Sequence, residues 1–207
     1  MSTVTIHLVR HGAHDRVDGV LVGRMDGVHL SALGRAEAER LARRFAAEPV
    51  AAVLSSPVAR ARETAEPIAA ALGLAVEICP GLEEIDFGSW TGHSFAELDP
   101  DPVWQGWNAR RSAGRAPGGE AMRDAQARAV EAVEGLRDRF AGRTVVAVGH
   151  CDVLKAVLCW CLDLSLDRIG AFDLLPASVS TLALWPGGGK VVALNDTGAV
   201  AADRLAA

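Results

Sequence analysis

Arg10-His11-Gly12 directly follows an apolar run, Val4-Thr5-Ile6-His7-Leu8-Val9, with the pattern of a β-strand. An imidazole at a strand's carboxyl end can attack a phosphoryl group. The neighbouring guanidinium can hold phosphoryl oxygens, and the glycine lets backbone come close to the anion. Three further residues suit the same chemistry: Arg60, Glu84 and His150. Arg10 and Arg60 offer planar forks of donors for equatorial oxygens, and His150 can donate to one as charge develops. A protonated Glu84 can give its proton to the leaving oxygen and then activate water. Glu83 stands beside it, and spacing alone does not choose between the two. No metal and no cofactor is required by this set.

The elements that must position these residues alternate between strand and helix. Val4–Val9 reads as the first strand, and a polar, Gly-rich loop follows over 12–29. Ser31 reads as the N-cap of a helix through about Ala47, with Leu33, Leu41 and Phe45 on one face. Val50–Leu54 is the second strand. Ser56-Pro57 supplies an N-cap and an N1 proline for a helix to Leu72, with a bend expected at Pro67 and a stop at Gly73. Leu74–Ile78 is a short third strand. A long helix is expected from about Gly119 to Phe140, then a strand over Thr144–Val148 and a helix over Cys151–Leu162. Ser180–Trp185 and Lys190–Leu194 flank Pro186-Gly187-Gly188-Gly189 as a hairpin. The alternation predicts an α/β fold: a mainly parallel sheet between helical layers, with an antiparallel edge from the hairpin. Ligands bind such folds beyond the carboxyl ends of the strands. Arg10, His11, Arg60, Glu84 and His150 all fall there, so residues far apart in sequence meet on one rim.

The 207 residues suit one domain, and the formal net charge of −5 argues against nonspecific nucleic-acid binding. No run is long and apolar enough to cross a membrane, and the N-terminus enters a strand pattern without a signal-peptide layout. Cys79, Cys151, Cys159 and Cys161 lack framework spacing, which points to free thiols in a reducing cytoplasm. The expected partner is a small phosphomonoester; the reading also admits a homodimer.

Six ordered blocks resemble the histidine phosphatase superfamily, also called phosphoglycerate mutase-like. They are Leu8-Val9-Arg10-His11-Gly12, Leu30-Ser31-Ala32-Leu33-Gly34 and the stretch from Ser55-Ser56-Pro57 through Arg60 to Glu63-Thr64-Ala65. The others are Leu82-Glu83-Glu84-Ile85-Asp86-Phe87-Gly88, Pro117-Gly118-Gly119-Glu120 and Val148-Gly149-His150. The resemblance implies an α/β sandwich, a phosphorylated nucleophile at His11, and a phosphate pocket completed by Arg10, Arg60 and His150. It selects Glu84 over Glu83 as the acid or base, and implies a cap insertion, placed here at 82–119. The chain departs from the family pattern at Ala13-His14-Asp15, where other members often carry Glu-Thr or Glu-Ser, and at Cys151, where many have glycine.

The reading is a metal-independent phosphomonoesterase working through phosphohistidine. A mutase-type phosphotransferase using a phosphorylated cofactor is the alternative. Such mutases resemble a Glu-Arg-His-Tyr-Gly pattern where this chain has Glu84-Ile85-Asp86-Phe87-Gly88. A noncatalytic phosphate-binding module is the second alternative. A cysteine phosphatase loop at Cys151 would need arginine where Val157 stands, and His7, His11 and His14 have no zinc spacing. Gly23, Arg24 and His14, in the loop after the nucleophile, are candidate substrate contacts, against the plainer reading of a solvated loop. Phe87, Trp90, Phe95, Trp104 and Trp107 are half of the chain's aromatics. They form either a lid surface for the substrate or a small satellite core.

Overall fold

The computed structural model describes residues 2–16 and 19–198. Six strands form one sheet: β1 (Val4–Arg10), β2 (Val50–Ser55), β3 (Val76–Ile78), β4 (Thr144–Gly149), β5 (Val179–Trp185) and β6 (Gly188–Asp196). Their order is β3-β2-β4-β1-β5-β6. Strands β3, β2, β4 and β1 run parallel, and β5 and β6 join antiparallel at the other side. The helices are α1 (Ala32–Phe45), α2 (Ala59–Ala71), α3 (Phe95–Leu98), α4 (Pro102–Ala109), α5 (Met122–Arg139) and α6 (Cys151–Cys161).

Period-two alternation along the strands divides the core into two faces. Ile6 and Leu8 of β1, with Val145 and Ala147 of β4, pack towards α5, α6 and the segment carrying α3 and α4. Val9, Val146 and Val148 face the other way, against Leu41 and Phe45 of α1 and Ala61, Ala65 and Ile68 of α2. The architecture is the expected three-layer α/β/α sandwich. Among the described residues no helix is long and apolar enough to cross a membrane.

Several element boundaries differ from the sequence reading, each for a physical reason. Ser31 caps α1 as expected, accepting from Gly34 N at 3.1 Å, but Leu33 is exposed. The buried stripe is Gly34, Glu37, Ala38, Leu41 and Phe45, and Leu33 lies one residue, about 100°, off it. The N-cap of α2 is Val58, not Ser56, and the helix begins at Ala59. Ser56 is turned instead towards His150. Helix α2 runs unbroken past Pro67. Helix α5 starts at Met122 because Gly119 is needed outside it: a Cβ there would meet Asp86 O at 2.3 Å. The hairpin turn is only Pro186-Gly187, with Gly187 at φ +83°, so β6 already begins at Gly188.

Candidate active site

Strand register assembles the site. Arg10 pairs with Gly149, Val148 pairs with Ser55, and the N–H of His11 donates to Gly149 O at 3.0 Å. Three parallel strands therefore end together, placing His11, Ser56 and His150 side by side. The rings of His11 and His150 have centroids 5.2 Å apart. The turn after β1 is fixed from both sides. Gly12 N donates to Thr64 Oγ1 at 3.0 Å, and Ala13 N donates to Glu37 Oε2 at 2.8 Å. A Cβ on Gly12 would lie 2.7 Å from Gly34 O, and one on Gly34 would lie 2.0 Å from Ala13 O. Only glycines allow that approach of α1 to the nucleophile turn.

Hydrogen bonds determine which nitrogen of each histidine carries the proton. His11 Nδ1 lies 2.8 Å from Gly12 O and must donate to it, which leaves the Nε2 lone pair facing Arg60 Nε at 3.3 Å. Burial first, and then Arg60, His150 and Arg10, hold His11 well below the usual imidazole range, so it is neutral and nucleophilic. Arg60 Nη2 donates to His150 Nδ1 at 3.1 Å; the His150 proton therefore sits on Nε2, 2.8 Å from Ser56 Oγ. His150 is fully buried and likewise held neutral, by burial and then the field of Arg60 and Arg10.

Arg60 is 1% exposed, on the first turn of α2, and its Nη2 is anchored on Gly23 O at 2.7 Å. Arg10 donates from Nη1 to Leu174 O. Among the described residues, Arg60 Nη1 and Arg10 Nε are buried donors without a hydrogen-bond partner. Orphaned buried guanidinium N–H groups are costly, and two of them beside one imidazole form a socket for an anion.

Glu84 follows the single turn Pro80–Leu82 after β3, and its Oε1 accepts from Ile85 N at 3.0 Å. Burial, then the neighbouring Asp152, raise it to about 7, against the opposing pull of its backbone bond, Arg60 and Arg10. Glu83, left open by spacing, is half-buried and pairs with Arg24 at 3.3 Å. Arg24 also donates from Nε to Glu84 O at 2.7 Å and from Nη2 to Glu120 Oε2 at 3.1 Å. The His14 ring stacks on His11 at 5.4 Å, and burial, then Arg60, lower it to about 4. Arg16 N donates to its Nδ1 at 3.2 Å, so its proton is on Nε2.

Some participants carry no pattern that the sequence reading used for chemistry. Ser56 carries only a capping signal in the sequence, whereas its hydroxyl meets His150 Nε2. Asp152, in the first turn of α6, accepts from Arg111 at 2.9 Å and faces Glu84. The carbonyl of Leu174 anchors Arg10 from a segment just before β5. Cys151 begins α6, and burial, against the opposing pull of Arg10, raises its thiol to about 11. Among the described residues no three His, Cys, Asp or Glu side chains gather as a metal site. His7 is engaged elsewhere, with Thr181 at 3.0 Å and Glu48 at 3.1 Å.

The model of the histidine phosphatase superfamily (branch 1) matches residues 6–197. The chain belongs to that superfamily. It is 41% identical over 148 residues to an uncharacterised protein of Mycobacterium tuberculosis, covering 70% of this chain and 72% of that one. It is 30% identical over 199 residues to phosphoserine phosphatase 1 of Hydrogenobacter thermophilus, covering 94% and 93%. Among solved structures, a mycobacterial glucosyl-3-phosphoglycerate phosphatase superposes with a TM-score of 0.84 at 27% identity, over 94% of this chain and 99% of that one.

Proposed function

We propose that this histidine phosphatase superfamily member hydrolyses small organic phosphomonoesters through a phosphohistidine at Nε2 of His11. The observation that carries the reading is the pair of unpartnered buried donors, Arg60 Nη1 and Arg10 Nε, beside a neutral imidazole. Two relatives that are phosphatases by name support it.

In the first step the Nε2 lone pair of His11 attacks phosphorus in line, and the P–O bond to the leaving group breaks. Glu84 gives its proton to that oxygen. Arg10 and Arg60 hold the equatorial oxygens, where most of the stabilisation of the transition state is needed. The Nε2–H of His150, which rests on Ser56 Oγ in the free protein, exchanges that partner for an equatorial oxygen as charge develops there. In the second step the Glu84 carboxylate takes a proton from water, the oxygen attacks phosphorus, the P–N bond breaks and His11 returns. Glu84 alternates between acid and base because burial keeps it near neutrality.

The segment 82–119 forms the cap over one side of this socket. Its tryptophans support it rather than line it, and Phe95 is exposed. Trp90 packs edge-on against Trp104 at 5.2 Å and Trp107 at 5.8 Å, and all three are buried. His14, with its Nε2–H, is the candidate contact for the rest of the substrate. Gly23 acts through its carbonyl on Arg60. The four thiols are free, which supports a cytoplasmic setting.

The test is phosphate release from p-nitrophenyl phosphate without added metal, with acid-labile phosphate trapped on the protein. His11→Ala should abolish both, and activity surviving that change overturns the mechanism. A panel including phosphoglycerates, with and without 2,3-bisphosphoglycerate, separates hydrolysis from phosphoryl transfer.

A further inference from the structure

The acid Glu84 is gripped through its backbone by a charged cluster that no step above employs. Its carbonyl oxygen accepts two guanidinium bonds, from Arg24 Nε at 2.7 Å and from Arg128 Nη2 at 3.1 Å. Arg128 Nη1 also takes Glu83 O at 2.7 Å and Gly81 O at 2.9 Å, so one side chain of α5 spans the whole turn before the acid. Glu120 aligns both arginines. Its Oε1 accepts from Arg128 Nε at 2.7 Å, and its Oε2 accepts from Arg128 Nη2 at 2.9 Å and Arg24 Nη2 at 3.1 Å. The same carboxylate receives Asp86 N at 3.3 Å while Glu120 N donates to Asp86 O at 2.8 Å, closing the cluster on the far side of Glu84.

We propose that Glu120, with Arg24 and Arg128, is a positioning clamp that holds the Glu84 carboxyl against the leaving oxygen and balances the charge around it. Two side chains from distant elements meeting on one carbonyl, both oriented by one carboxylate, fix a backbone atom more firmly than a neutral turn would. The clamp also gives Arg24 a role in place of substrate contact, since all its donor nitrogens are engaged by Glu83, Glu84 and Glu120. Charges facing the Glu84 carboxyl are Arg10 from β1, Arg60 from α2 and Asp152 from α6, and on its backbone side stand Arg24, Arg128, Glu83 and Glu120. Removing Glu120 leaves one positive charge in excess there, since Glu83 still pairs with Arg24, and this favours ionised Glu84. Removing Arg24 leaves a carboxylate in excess, which favours its protonated form.

The inference rests on Glu84 acting as the acid, and two readouts keep the claims apart. Glu120→Gln should lower kcat/KM, which reports the phosphorylation step, on an alkyl phosphate by about 10–100-fold, the range a misplaced group of about 1 Å produces, and on p-nitrophenyl phosphate by less than about 3-fold. Arg24→Met, a change at the half-exposed edge of the cluster that the fold should tolerate, should give the same split with KM unchanged. Carboxyl 13C NMR of Glu84, which needs no turnover, should titrate lower in Glu120→Gln and higher in Arg24→Met. Equal losses on both substrates, a raised KM in Arg24→Met, or an unmoved Glu84 titration overturns the clamp. Absence of phosphate release from the unmodified protein would instead overturn the phosphatase reading, with the titration still judging the clamp.

Discussion

Replacing Glu84 by Gln should impair the enzyme and stabilise the protein, and both effects follow from a buried acid raised to about 7. At pH 7 about half of the molecules hold the proton, at pH 8 about a tenth, and at pH 9 about a hundredth. Turnover of an alkyl phosphate, which needs that proton, should fall about tenfold per pH unit above 7, whereas a nitrophenolate leaving group needs little help. The glutamine variant should lose kcat/KM for alkyl phosphates heavily, retain more of it for aryl phosphates and lack the basic limb. The stability effect has a definite sign. The native protein holds this proton more tightly than the unfolded chain, whose carboxyl ionises near 4.5. Stability is therefore lost as pH rises from about 4.5 through 7, by about 3 kcal/mol in all. Glutamine has no charge to bury. At pH 8 its Tm should exceed that of the unmodified protein by about 6–12 °C, with the difference vanishing near pH 4. Thermal melts by circular dichroism at pH 4, 6 and 8, beside rates on both substrates, make the test. A variant no more stable at pH 8, or one equally impaired on both leaving groups, refutes the account.

Ser56→Ala leaves the buried Nε2–H of His150 without its partner, a loss of about 1–3 kcal/mol, and should lower kcat by about tenfold with KM little changed, read by steady-state kinetics. Trp107→Ala should cost about 3–5 kcal/mol in urea unfolding while leaving relative KM values across a substrate panel unchanged, because the ring packs against Phe87 and Trp90. Activity should withstand iodoacetamide at pH 7, since the thiol of Cys151, raised to about 11, is almost entirely protonated there; rapid inactivation reversed by Cys151→Ser would contradict this.

The strand-end residues were legible because parallel strands share a rim. Once Val4–Val9, Val50–Leu54 and Thr144–Val148 are read as neighbours, Arg10, His11, Arg60 and His150 converge without any knowledge of side-chain contacts. The choice between Glu83 and Glu84 was not legible in their spacing, since it depends on which of two adjacent side chains the turn buries. The start of α2 was missed for a related reason. Ser56-Pro57 has strong capping chemistry, and only the long-range contact with His150 shows why Ser56 is not available to cap. Leu33 misled because helical phase, not residue type, decides the buried stripe. Arg24 reads as a candidate substrate contact or a solvated loop cation because its partners, Glu83, Glu84 and Glu120, follow no local period. Contacts between remote segments leave little trace in a single chain.

The nucleophile strand has no partner close to it in sequence. Thr5 pairs with Thr144 on one side, and Val4 pairs with Leu184 on the other. During synthesis the first strand therefore leaves the ribosome with neither neighbour in existence, and the helix pair α1 and α2 can condense before it is enclosed. The loop closures that trap β1 come late, so the steps that complete the sheet should be slow relative to local helix formation. Phosphate binding would then report on the whole chain having folded, because no amino-terminal fragment could assemble the socket alone.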